Sequence, residues 1–252
     1  MTIDCSFNWR EIRRIAGPCI RPGGPALTER ALDVCSLPPG SRIADIGCGA
    51  GGTLEHLGRT GNYRTVGLDY SEVLLGEAVP LVVTVQRLVR GLAEILPFKK
   101  GSFDALFCEC VLSVLRNRLS ALHEFGRVLK EGGFLIVSDV FGQSSPGRGQ
   151  AETKSQGLPT KGLLAKPDIL GVLTRLGFSL LLWEEHEGFL KEFVARMILA
   201  GERLPDPWRC RQGQENSKAN RPQVSYFLLV ARKSGAAFQS VENKGDGRSW
   251  TT

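Results

Sequence analysis

Residues 42–52 read Arg-Ile-Ala-Asp-Ile-Gly-Cys-Gly-Ala-Gly-Gly. The run Arg42–Ile46 is short and apolar, as a buried strand would be, and it ends in a glycine cluster. Glycines let a chain turn sharply from strand into helix and let a ligand approach the backbone. Thr53–Leu57 then opens a helix. Working outward, strand and helix patterns alternate. Thr65–Leu68 predicts a second strand, and Ser71–Ala78 a second helix with Ser71 as N-cap. A third strand falls within 81–92, ending near Arg90–Leu92, and Phe103–Cys108 is a fourth. Leu119, Leu122, Phe125 and Leu129 recur at helical spacing, so 117–129 is a helix. Gly132-Gly133 stops it, and Phe134–Ser138 is a fifth strand. Such alternation predicts an α/β architecture, a mainly parallel sheet with helices on both faces.

The flanks are less regular. Residues 1–37 read as a helical lead-in or cap, broken by Gly17-Pro18 and by Arg21-Pro22-Gly23-Gly24-Pro25, with a short helix from Leu27 to Cys35. The main domain runs over 38–232. Within it, 142–160 is rich in Gly, Ser and Pro and reads as a mobile loop. A helix around Pro167–Leu176 and a strand around Ser179–Glu184 follow. Leu190, Phe193, Val194, Met197 and Ile198 form one apolar helix face. Residues 204–223 are polar and irregular, Val224–Ala231 is a last strand, and 233–252 reads as a disordered tail.

The chain has 252 residues, 42% of them hydrophobic and 23% charged, which excludes collagen-like, wholly disordered and multi-span membrane classes. The net charge is +6, of which residues 205–252 contribute +4, with 8 Lys/Arg against 4 Asp/Glu. The basic excess is therefore a tail property and not a sign of a basic binding face. Seven cysteines are an odd and sparse set for a disulfide scaffold, which points to a reducing cytoplasm. No apolar run approaches the ~20 residues that span a bilayer, and the opening residues carry no signal-peptide core.

Gly47, Gly49 and Gly52 satisfy G-x-G-x-x-G, and Asp69 follows 17 residues later at the end of the second strand. That spacing is the dinucleotide fingerprint, in which the acid binds ribose hydroxyls. Asp45 discriminates between cofactors. It stands two residues before the first glycine, at the mouth of the first strand. A pyrophosphate there would face a carboxylate, a repulsion on the order of several kcal/mol at an effective dielectric of ~20. S-adenosylmethionine has no phosphate and carries an ammonium and a sulfonium. Asp45 suits its cationic end and Asp69 its ribose diol.

On these residues the chain resembles a class I S-adenosylmethionine-dependent methyltransferase of the small-molecule type, similar to the quinone C-methyltransferase group. Asp45-Ile46-Gly47-Cys48-Gly49-Ala50-Gly51 matches the family's first motif and Val66-Gly67-Leu68-Asp69-Tyr70-Ser71 its second. Ala93-Glu94-Ile95-Leu96-Pro97-Phe98, then Gly101-Ser102-Phe103-Asp104, match the adenine-side region and fourth strand. Leu129-Lys130-Glu131-Gly132-Gly133 before strand five is also typical. The resemblance implies a Rossmann-like, doubly wound, seven-stranded sheet with an antiparallel last strand. It also implies cofactor contacts at Asp45, Gly47, Cys48, Gly49, Asp69, Tyr70, Leu92, Ala93 and Cys108. One departure stands out. The family often has an Asp before the Ala-Glu pair, and here that position is Leu92.

Methyl transfer is an in-line displacement from a sulfonium, so the protein mainly supplies proximity and alignment, with a base only where the acceptor must lose a proton. In an open parallel sheet the acceptor sits beyond the carboxyl ends of the strands. Glu109, after strand four, is one candidate there. Glu185 with His186, after strand six, is a second, as an acid–base pair. Asp139 ends strand five. Cys108 and Cys110 form a Cys-x-Cys that could take a soft metal, but two ligands are too few for a structural site and no metal is expected. His56 and His123 read as surface helix residues. Arg21, with Thr28, could cap the pocket and bind an acceptor carboxylate or phosphate; a plain helix-breaking turn is the alternative. The expected acceptor is a small molecule. An RNA acceptor is the alternative, since the tail is basic, yet Cys-Glu-Cys-Val stands where a base-gripping Asn/Asp-Pro-Pro-aromatic motif would be. A nicotinamide-dependent oxidoreductase is the third reading, opposed by Asp45.

Overall fold

The computed structural model describes residues 13–15, 17, 19–79, 87–143, 158, 163–201 and 223–234. After the lead-in the elements run α1 (Gly24–Cys35), β1 (Arg42–Ile46), α2 (Gly52–Thr60), β2 (Arg64–Asp69), α3 (Glu72–Ala78) and β3 (Arg87–Arg90). Then come β4 (Phe103–Glu109), α4 (Arg118–Val128), β5 (Leu129–Gln143), α5 (Lys166–Arg175), β6 (Phe178–Glu185), α6 (Glu187–Leu199) and β7 (Gln223–Lys233). The seven strands form one sheet in the order β3-β2-β1-β4-β5-β7-β6. The β1, β2, β3, β4 and β5 ladders are parallel, and β7 is antiparallel to both its neighbours. The α/β sheet with its antiparallel last strand is the one the sequence led us to expect.

Period-two alternation sorts each strand onto two apolar layers. Ala44, Ile46, Leu106, Cys108 and Val137 face a core closed by Leu122 and Phe125 of α4 and Ile169 and Val172 of α5. Ile43, Phe107, Ile136, Tyr226 and Leu228 face the other way, against Leu27 and Ala31 of α1 and Leu190, Phe193 and Met197 of α6. Short caps behave as read: Ser71 Oγ accepts from the Leu74 amide, and the Asn117 side chain accepts from that of Ser120.

Several boundaries differ. The helix expected over 117–129 ends at Val128, and β5 begins at once with Leu129, well before Gly132-Gly133. Leu129 fits a helical period, but it pairs with Phe103, and the ladder then jumps to Ala105↔Phe134, so Lys130–Gly133 bulge out. At its other end β5 continues past β4 to Gln143, because β7 supplies a partner along its whole length. On α6, Ile198 is 59% exposed and does not join the apolar face. The first helix starts at Gly24, three residues before Leu27. The expected loop 142–160, irregular 204–223 and tail 233–252 lie almost wholly outside the described residues. Among those residues, no helix is long and apolar enough to cross a membrane.

Candidate functional site

At the carboxyl end of β1 the amides of Gly47 and Cys48 both donate to the Leu68 carbonyl, at 2.7 and 3.1 Å. This folds the chain back over β2. Gly47 has φ +78°, and a Cβ there would lie 2.1 Å from Val111 Cγ2. Glycine is thus required twice over, by conformation and by space. A Cβ on Gly49, by contrast, would meet nothing within 4 Å. The loop has a packed side and an open side, and the open side is where a ligand could lie against the backbone. Gly51 caps α2 with no side-chain hydrogen bond, leaving first-turn amides at the cleft.

Asp69, at the end of β2, holds this loop in place. One carboxylate oxygen accepts from the Gly49 amide and the other from the Ser71 amide, both at 2.8 Å. Burial raises the Asp69 pKa above the usual carboxylate range, and these amides oppose the rise. With the Tyr70 amide as a third donor, the carboxylate still keeps acceptor capacity for a ligand hydroxyl. The next residue, Tyr70, is 39% exposed, with the Arg90 guanidinium 6.0 Å from its ring centroid.

A second cluster fills the mouth of β4. Alternation places Asp45, Glu109, Ser138 and Tyr226 on the same face as Ile43, Phe107, Ile136 and Leu228, each two residues away. The lead-in crosses that face. Arg21 Nη2 lies 2.9 Å from Glu109 Oε1, with side-chain exposures of 4% and 6%. It also donates to Thr28 Oγ1, while Thr53 Oγ1 donates to the other Glu109 oxygen at 2.6 Å. Burial works against the charge of Arg21, but Glu109 and its other neighbours together outweigh this, and the guanidinium stays protonated. Asp45, 2% exposed, is raised well above its ordinary pKa, by burial first and then by Glu109, with Arg21 opposing.

Cys110 closes the cluster. It is one of two non-glycine residues with positive φ (+56°) among those described, a conformation that costs on the order of 1–2 kcal/mol. Its Sγ is 3.1 Å from Tyr226 Oη, which in turn donates to Ser138 Oγ at 3.1 Å. Burial lifts the Cys110 thiol and the Tyr226 hydroxyl above their ordinary pKa values, so both stay neutral.

The structure gathers some candidates and scatters others. Asp45, Gly47, Gly49, Asp69, Glu109 and Arg21 meet at the ends of β1, β2 and β4. Cys48 packs against Leu54 and Ala78 in a small core, its thiol pushed up by burial. Cys108 is fully buried in the main core and presents no thiol to the cleft. Its thiol packs in that core, and no metal-binding group of three or more ligands occurs among the described residues. Asp139 is fully buried, accepting from the Ser113 and Val140 amides at 2.8 and 2.7 Å, so it staples the turn after β4 and does not line the pocket. The expected Glu185–His186 acid–base pair is not formed. Glu185 is exposed and accepts from Trp183 Nε1, whereas His186 lies 3.3 Å from Glu184, which is tied to Arg30. These residues end β6, four strand positions from β1, roughly 19 Å at ~4.8 Å per strand. His56 is half-buried and bridges to Glu29 at 3.4 Å; His123 is exposed.

The adenine-side segment depends on two residues that went unread. Glu124 accepts from the Leu96 amide at 2.7 Å, and Arg127 donates to the Phe98 and Leu96 carbonyls at 2.7 and 3.0 Å. Together they hold 93–98 against α4. Ala93 is buried there, and Leu92, 45% exposed, bridges to Ile95 through the backbone. Glu124 and Arg127 read as an ordinary i, i+3 surface pair, so nothing local marked them.

Comparison with known proteins places this geometry. Residues 44–137 match the family model described as a methyltransferase domain. An uncharacterized methyltransferase from Synechocystis is 35% identical over 114 residues, 43% of this chain and 51% of that protein. The 2-methyl-6-phytyl-1,4-hydroquinone methyltransferase of the same organism is 32% identical over 41% of this chain and 33% of its own length. An 18S rRNA (guanine(1575)-N(7))-methyltransferase from Saccharomyces cerevisiae is 37% identical over 36% of this chain and 33% of its length. The chain thus spans about half or less of these curated relatives. Among solved structures, Haemonchus contortus phosphoethanolamine N-methyltransferase 2 with S-adenosyl-L-methionine superposes with a TM-score of 0.66 at 18% identity, over 89% of this chain and 56% of that one. Residues 44–137 thus match a methyltransferase domain, and the sheet around them has the fold of solved methyltransferases.

Asp69→Ala should weaken S-adenosylmethionine binding by roughly 1–3 kcal/mol, the scale of hydrogen bonds lost to a charged group. Calorimetric titration reads this directly; an unchanged affinity would remove the ribose role.

Proposed function

We propose that this chain moves a methyl group from S-adenosylmethionine to a small-molecule acceptor. The observation that carries the reading is the pair of carboxylates, Asp45 and Asp69, flanking a glycine loop whose open side has room for a ligand. The carboxyls of Asp45 and Asp69 stand at the loop itself, whereas Arg21 is paired with Glu109 at the mouth of β4 and Arg90, beside Tyr70, with Glu72. Bound S-adenosylmethionine would supply an electrophilic methyl on a positively charged sulfur. Asp69 accepts hydrogen bonds from ribose hydroxyls, Asp45 faces the cationic end, and the Arg21–Glu109–Thr53 network keeps the lead-in over the β4 mouth. Burial there strengthens each of these electrostatic effects.

Asp45 gives the reading a pH signature. In the free protein its carboxyl holds its proton to a pH above the ordinary value of 3.8. A cationic ligand favours the ionised form, so binding releases a proton and lowers that pKa. Affinity should therefore rise with pH through the Asp45 titration and level off above it. Calorimetry in buffers of different ionisation enthalpy checks the proton release; an affinity flat with pH and no proton released would count against the Asp45 role.

An acceptor reaching Arg21 and Glu109 must enter among side chains only 4% and 6% exposed. That depth suits a detached small molecule better than a nucleic-acid duplex. The rRNA relative matches over 91 residues, 33% of its own length. The five described cysteines are all unbridged, in keeping with the cytoplasmic location we propose. The test is incubation of the full chain with methyl-labelled S-adenosylmethionine and two pools, a metabolite extract and total RNA, with Asp69→Ala as control. Label in small molecules is the expected result. Label confined to RNA would replace the acceptor class.

A further inference from the structure

Arg21 has hydrogen-bonding capacity that the protein leaves unused. Its side chain is 4% exposed; its Nη2 donates to Thr28 Oγ1 and forms an ion pair at 2.9 Å with Glu109 Oε1, which has no hydrogen-bond partner of its own among the described residues. Nε and Nη1 are buried and have no hydrogen-bond partner among the described residues. A buried charged donor left unmade costs about 1–3 kcal/mol or more, so such groups generally have a partner. Glu109 does not absorb this capacity: it meets only Nη2, and its other oxygen is filled by Thr53.

The surroundings define what is missing. Besides Glu109 and the Asp45 carboxyl, which burial and Glu109 hold toward its protonated form, the guanidinium acts on Tyr226, Cys19 and Cys110. All three are kept neutral by burial, with the Cys19 thiol pushed up to about 11. None offers a formal negative charge. Apolar side chains complete the wall: Ile20 and Phe189 pack on this layer, and the Arg21–Pro25 turn is pressed so tightly on Phe189 that a Cβ on Gly23 would lie 2.9 Å from its ring. The guanidinium thus lies buried among polar and apolar side chains with two of its donor nitrogens unpaired.

We propose that Arg21 is the anchor of an oxyanion subsite for the methyl acceptor, and that the acceptor carries a carboxylate or phosphate that seats on the free Nε and Nη1 groups. The inference rests on the methyltransferase reading and narrows its substrate class. Tyr226 lies on β7, three strand positions from β1, so the guanidinium's neighbours include groups on the side of β1 away from β2. That is the side on which an acceptor would approach. The methionine carboxylate of the cofactor has the same chemistry and is the competing occupant, which the test separates.

The experiment uses the full chain saturated with S-adenosylhomocysteine, which blocks turnover. Benzoate, phenyl phosphate and the neutral benzamide are titrated in at constant ionic strength. At least one of the two anions should bind tenfold or more tighter than benzamide, and which one does identifies the headgroup. Arg21→Met should erase that preference. Arg21→Lys, which keeps the charge and loses the planar fork, should give an intermediate preference. The two ligand classes are compared on wild type first, so a poorly folding Arg21→Met leaves the wild-type and lysine results to decide. Equal binding of anions and amide overturns the proposal. So does an Arg21→Met defect that appears with S-adenosylmethionine and vanishes with its decarboxylated form, because the donors then serve the cofactor. Failure of wild type to bind S-adenosylhomocysteine at all would instead sink the methyltransferase reading.

Discussion

Glu109→Ala should destabilise the fold by about 3–5 kcal/mol, the cost of leaving one member of a buried ion pair without its partner. Arg21 would keep its charge at 4% side-chain exposure and lose the carboxylate 2.9 Å away. Thr53 Oγ1 would lose its acceptor as well. Asp45 offers partial relief, because its carboxyl is held up in part by Glu109 and pulled down by Arg21, so removing Glu109 favours its ionised form. A urea titration reads the loss. The double variant Glu109→Ala/Arg21→Met should be more stable than the sum of the single effects predicts, by 1 kcal/mol or more, since both charges leave together. Strict additivity would mean that the pair is not coupled. Glu109→Gln, which keeps an acceptor for Thr53, should cost less than Glu109→Ala.

Gly47→Ala is the second large effect. Two penalties add. The backbone sits at φ +78°, where a Cβ costs roughly 1–3 kcal/mol in strain. The new methyl would also lie 2.1 Å from Val111 Cγ2, an overpacking of about 1–3 kcal/mol unless the turn after β4 shifts. That shift would carry Cys110 and Glu109 with it, so cofactor affinity and stability should fall together. Adding Val111→Ala should recover the steric share and leave the strain. A Gly47→Ala protein within 0.5 kcal/mol of wild type and with unchanged cofactor binding would show that the loop is far looser than its geometry.

The fold was legible because each local signal agreed with the next. Arg42–Ile46 became β1 with its bounds unchanged, and Ser71 capped α3 as its residue type promised. The misreadings came where tertiary pairing overrode local pattern. Leu129 satisfies a helical period, yet it joins the β4–β5 ladder. Ile198 fits an apolar helix face, yet among the described residues no element covers it.

The site divides along the same line. Asp45, the glycines and Asp69 are fixed by short-range motif chemistry, so sequence located them. The Arg21–Glu109–Thr53 network joins residues up to 88 positions apart, a separation that no local pattern encodes. Arg21 looked as much like part of a helix-breaking turn as a pocket residue; only burial distinguishes the two. Glu185 and His186 drew notice by adjacency, but successive residues at a strand end diverge, and the sheet order carries both far from β1.

The central claim is electrostatic: the crevice above β1 and β2 accepts an adenosyl group bearing positive charge and resists one bearing a diphosphate. Competitive calorimetry of the full chain with S-adenosylmethionine and NADH tests it most directly. The account predicts saturable binding of the sulfonium compound that NADH does not displace. Tight NADH binding with no heat from S-adenosylmethionine would contradict it.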